Sequence, residues 1–135
     1  MKKLLSIKYS AGAFSGALLI LRLGAGILMM HHGYDKLVHY SVYQGKFINF
    51  MGIGSTLSLN LDIFAELFCS LLVVLGLFTR LATVPVIFAM CVALFHAHQA
   101  DIFGKGEPSA LYLTAFIVLL LVGPGKVSVD GMVGK

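Results

Sequence analysis

Residues 11–30 read AGAFSGALLILRLGAGILMM, and Arg22 is the one charge in the run. A stretch this long and this apolar reads as a membrane-spanning helix, since about 20 residues cross the hydrocarbon core. An ionised side chain at that depth costs at least ~2.5–3.5 kcal/mol on insertion scales. A chain that keeps such a charge usually pairs it or uses it. Residues 61–78, LDIFAELFCSLLVVLGLF, repeat the pattern with Asp62 and Glu66 as the only charges. The expectation is an all-α fold, an integral membrane four-helix bundle.

Composition agrees. Hydrophobic residues make up 59% of the chain and charged residues 12%, against roughly a quarter charged in a soluble domain. Mean hydropathy is +0.93. A chain of 135 residues reads as a single four-helix transmembrane domain, residues 1–135, with the lipid bilayer as its first partner. The net charge of +4 comes from scattered basic residues, with no basic stripe, so no nucleic acid is expected.

Four spans are expected, at about 10–32, 58–78, 81–97 and 108–122. Pro108 suits the first turn of the last span, and Gly123-Pro124-Gly125 ends it. The short link Phe78-Thr79-Arg80 makes the second and third spans a tight antiparallel hairpin, and Pro85 is a candidate kink. Residues 33–57 form the long connection, broken at Gly33, Gly45, Gly52 and Gly54. Its middle, YQGKFINFM, suits a short interfacial helix.

Basic residues orient the chain. With the N-terminus inside, the inner side holds Lys2, Lys3, Lys8, Arg80, Lys126 and Lys135. The outer side holds Lys36, Lys46 and Lys105. That balance places both termini in the cytoplasm. Arg22 within the first run, and apolarity continuing to Met30, argue against a cleaved signal peptide.

This topology gathers polar residues on the outer side: His31 and His32, Asp62 and Glu66, His96 and His98, and Glu107. Helical phase sorts them. At about 100° per residue, Gly26, Met29 and Gly33 share the face of Arg22, and His32 lies nearer that face than His31. Asp62 and Glu66 share a face with Cys69 one turn deeper. Arg22 and Glu66 are expected to form an ion pair inside the bundle, with Arg22 snorkelling outward. Gly12-x-x-x-Gly16 is a helix-packing signal. Tyr34 and Lys36 read as interface anchors, and His31 and His39 as solvated. Met29, Met30 and Met90 read as core filler. Cys69 and Cys91 form no Cys-x-x-Cys pair and read as packing residues.

The order of several short motifs resembles the DoxX family. They are Arg22, His32-Gly33-Tyr34-Asp35-Lys36-Leu37, Glu66, Leu75-Gly76-Leu77-Phe78-Thr79-Arg80, and Leu121-Val122-Gly123-Pro124-Gly125-Lys126-Val127-Ser128-Val129-Asp130. The stretch from His98 to Glu107, followed by Leu111-Tyr112-Leu113, is similar too. Gly106, Pro108, Lys126 and Val127 depart from the usual family residues. The resemblance implies a four-helix protein of the bacterial inner membrane. It carries family roles onto Arg22, His32, Lys36, Glu66, His98 and Glu107.

Some relatives resemble the quinone-reducing subunit of a thiosulfate oxidoreductase, and others look like parts of complexes that handle thiol or oxidative stress. Three readings follow. In the first, the chain is a redox subunit that binds a quinone. Arg22 or Tyr112 donates to a quinone carbonyl, and Glu66, His32 and His98 relay protons. In the second, His32, Glu66, His98 and Glu107 hold a metal ion such as zinc or iron. In the third, the chain is a scaffold or assembly subunit, packing as a homo-oligomer or against partners in a membrane complex.

Overall fold

Ser10 starts the first helix. Its hydroxyl accepts the Ala13 N–H at 3.0 Å, and the chain stays helical from Ala11 to Val38, α1. The computed structural model describes residues 4–47, 52–97, 99 and 101–133. Five further helices follow among the described residues: α2 (Tyr40–Lys46), α3 (Ser55–Leu75), α4 (residues 79–97), α5 (Glu107–Val122) and α6 (Val129–Met132). No strand occurs among the described residues. Helices α1, α3 and α4 are long and apolar enough to cross a membrane, while α5 is apolar but only 16 residues long.

The four long helices close into a ring of neighbours: α1 packs on α3, α3 on α4, α4 on α5, and α5 on α1. One stripe of α1 faces the ring and is buried at Ser15, Leu18, Arg22, Gly26, Met29 and Gly33. This is the face that helical phase assigns to Arg22. The core it meets includes Cys69, Val73, Val86, Phe116 and Leu119. Large apolar side chains such as Ile20, Ile27, Phe68 and Leu111 point outward, as lipid-facing residues do.

The expected boundaries shift where glycine acts as a packing residue. Gly33 lies inside α1 and does not break it. A Cβ there would stand 2.7 Å from the Leu67 nitrogen and 2.9 Å from the Glu66 carbonyl carbon. At Gly26 it would meet the Val74 side chain at 2.6 Å. These two glycines let α1 and α3 approach closely. The Gly12 and Gly16 positions do not serve this purpose: nothing lies within 4 Å of a Cβ at Gly16.

Opposite Gly33, α3 widens into a π-helical segment, Phe64–Cys69, that carries Glu66. A second π segment, Val92–Ala97, ends α4. The helix is continuous through Pro85. The turn between α3 and α4 is as tight as expected. Gly76 closes α3 in a left-handed conformation, with the Leu77 N–H bonded back to Leu72 at 2.9 Å. The short helix of the long connection covers Tyr40–Lys46, so Gly45 does not break it. Residues 48–51 of the stretch expected there lie outside the described residues. Its Tyr40 hydroxyl donates to Asn60 at 2.6 Å, and Gln44 donates to Thr56 at 3.1 Å, which fastens α2 to the start of α3.

Candidate functional sites at the two ends of the bundle

Helix α1 carries two basic residues toward the bundle, Arg22 near its middle, against Gly76 of the α3–α4 turn, and Lys36 near Val38. They are fourteen residues apart, or about 21 Å along a helix axis. Each organises its own polar site.

At the Val38 end, the Lys36 ammonium bridges the carboxylates of Asp62 and Glu66. Asp62 and Glu66 are one helical turn apart on α3, so a single ammonium reaches both. The Glu66 side chain is 2% exposed and that of Lys36 21%. Lys36 also sits 5.7 Å from the centre of the Phe47 ring, in reach for a cation–π contact. Tyr112 on α5 lies within electrostatic range of Glu66. The edge of the His32 ring meets Tyr112 with centroids 5.6 Å apart at 87°.

Beside this group, Asp35 accepts the Tyr43 hydroxyl at 2.8 Å and contacts His39 Nδ1 at 3.1 Å. The hydrogen bond to Asp35 pushes the Tyr43 phenol above its ordinary value. An open cleft of about 340 Å³ lies between Asp35, Tyr43 and Lys46.

At the Ala11 end, the segment after α5 folds back across the bundle. Gly123 and Gly125 take positive φ, 92° and 84°. Gly125 presses on α1, where a Cβ would sit 3.2 Å from Leu18 Cβ. The Val127 carbonyl accepts Arg22 Nη2 at 2.8 Å. Asp130 then accepts the N–H groups of Phe78 and Thr79 at 2.9 and 3.0 Å. It thereby caps α4 from 51 residues away in sequence. Its own N–H bonds the Gly76 carbonyl at 2.9 Å. Two of the sequence motifs, Leu75–Arg80 and Leu121–Asp130, therefore meet at one place, with Arg22 between them.

The expected Arg22–Glu66 pair does not form. Glu66 is held by Lys36, and Arg22 is bonded to Val127. The cause is depth. Gly33 packs level with Glu66, which leaves Arg22 eleven residues, or about 16 Å, further along α1. Lys36 is accordingly no simple interface anchor but the partner that Glu66 uses. Tyr34, by contrast, is exposed.

Other site residues separate. His32 is exposed and touches Tyr112, whereas Glu107 is exposed at the start of α5. His98 lies outside the described residues. Among the described residues no three His, Cys, Asp or Glu side chains converge as a metal site would require. Ser128 and Asp130 were not among the expected site residues. Their signal was the stretch Leu121–Asp130 itself, which carries both residues and resembles the family pattern.

The DoxX family model matches residues 17–99 of the chain. The chain belongs to the DoxX family. The match runs from the Arg22 stripe through α3 and α4. No curated protein and no solved structure matches it. Family membership and the long apolar helices together make this DoxX chain a membrane protein that contacts the lipid bilayer.

Proposed function

We propose that the Lys36–Asp62–Glu66 group is the proton-handling site of a quinone-interacting redox subunit in the bacterial inner membrane. The observation that carries this reading is the burial of the Glu66 carboxylate on Lys36, with Asp62 on the same ammonium. A buried acid held by a cation and connected to solvent is the equipment that proton transfer needs. Reduction of a quinone to a quinol takes two electrons and two protons, one proton at each carbonyl oxygen. The Tyr112 hydroxyl donates to one carbonyl. Glu66 delivers the two protons in turn, and after each transfer it is reloaded through Asp62 and His32 from the Val38 end. Electrons come from a partner redox protein or a soluble reductant.

In this reading residues 1–135 form one transmembrane domain with four crossings and both termini in the cytoplasm. The α2 helix lies at the outer interface, and further copies or membrane-complex partners pack on the lipid-facing surface. Decylubiquinone added to purified protein should raise its unfolding temperature, and Glu66→Gln should abolish that rise. No rise in the parent protein would refute quinone binding.

A second reading draws on the same ion group. Lys36 comes from α1 and both carboxylates from α3, so the group also clamps two helices. In a non-enzymatic assembly subunit this clamp would be its whole purpose. Glu66→Gln would then weaken the fold or its complex and leave small-molecule binding unchanged.

A further inference from the structure

A second cleft opens at the Ala11 end, about 560 Å³ in volume. It lies between the α3–α4 turn and the segment that follows α5. Phe78, Leu81 and Val122 give it apolar walls, and Arg80 and Asp130 also line it. All three apolar side chains are exposed in the isolated chain. The cleft sits where α4 begins and α5 ends, which is headgroup level if these helices lie in a bilayer.

The two charged residues are not equivalent. Asp130 is engaged by the Phe78 and Thr79 N–H groups and lies in electrostatic range of the buried Arg22. Arg80 is exposed. It donates from Nη2 to the Val122 carbonyl at 3.2 Å. A Cβ at Gly123 would come within 3.3 Å of both Nε and Nη2, so the bare glycine gives the guanidinium room against the chain. Lys126, in the same segment, is also exposed. The cleft thus pairs a cationic fork with an apolar wall.

We propose that this cleft binds one anionic glycerophospholipid, with its phosphodiester on Arg80 and its acyl chains along Phe78, Leu81 and Val122. A guanidinium presents paired N–H donors that match phosphate oxygens. Anionic headgroups are attracted to basic residues placed at the membrane surface. The site is separate from the Glu66 group and does not depend on a quinone.

The test is native mass spectrometry of the full chain released from nanodiscs of mixed phosphatidylglycerol and phosphatidylcholine. One phosphatidylglycerol should stay bound in preference to phosphatidylcholine. Arg80→Gln should cut that retention roughly fivefold, the effect of one basic residue at an anionic surface. Leu81→Glu, at an exposed position, should cut it as well by repelling the phosphate. Free glycerol phosphate should not be retained, because it lacks the acyl chains. Equal retention of the two lipids would overturn the proposal. So would parent-like retention in a folded Arg80→Gln or Leu81→Glu variant. Retention of glycerol phosphate as strong as that of the lipid would replace it with a simple phosphate site.

Discussion

Gly33 is the residue on which the Val38 end depends. Its missing side chain lets α1 rest on the backbone of α3 beside Glu66. Gly33→Ala should therefore force the helices apart and cost about 1–3 kcal/mol, the usual range for overpacking. Gly24→Ala is the control. Gly24 is exposed, with nothing within 4 Å of its Cβ, and the change should be neutral or slightly stabilising. Unfolding in mild detergent measures both. Lys36→Met should cost about 2–3 kcal/mol in the same assay, at or just under the range for broken buried pairs, because the ammonium is 21% exposed. The inward stripe Arg22, Gly26, Met29 and Gly33 was legible in the sequence, since helical phase needs only spacing. The partner of Glu66 was not. Phase fixes direction, but depth depends on where both helices end, and α1 runs on to Val38, six residues past the expected end, while α3 starts at Ser55, only three before its expected start. Counting from Gly33 instead places Lys36 one turn beyond the Glu66 contact, within reach of both carboxylates.

At the scale of elements, the helices were legible and their ends less so. Apolar runs located α1, α3, α4 and α5, because burial in lipid demands long uninterrupted apolarity. Their termini depend on partners far away in sequence, which no local pattern reveals. Asp130 is the example: it serves α4 as a cap while belonging to α6. It also holds Phe78, whose φ of 49° is unusual for a bulky residue. Asp130→Ala should lower stability by about 1–2 kcal/mol, the typical loss of a helix cap. Asp130→Asn keeps one acceptor oxygen and should lose less. The comparison of the two by denaturant unfolding separates capping from the bulk of the side chain. The π segment of α3 was equally hidden. It arises where Gly33 presses on α3 and it carries Glu66, and such segments recur at functional sites.

At the scale of the molecule, one helix organises two separate polar ends. The Ala11 end is a structural knot in which α1, the α3–α4 turn and the final segment meet. The Val38 end presents a buried acid with a phenol and an imidazole at its edge. The proposed topology, with both termini in the cytoplasm, rests on six basic residues against three. A green fluorescent protein fused after Lys135 should be fluorescent, and an alkaline phosphatase fused at the same position inactive. The reverse pattern would turn the Glu66 group to the cytoplasmic side and change the source of its protons.

The central claim is that Glu66 and its partners form a binding site and not merely a clamp. Native mass spectrometry of the gently solubilised chain beside Glu66→Gln tests it most directly. A quinone-mass adduct on the parent protein, lost in an equally folded Glu66→Gln variant, is the expected result. A parent protein without such an adduct even after incubation with excess decylubiquinone, beside an equally folded variant, would contradict the claim and leave the assembly reading.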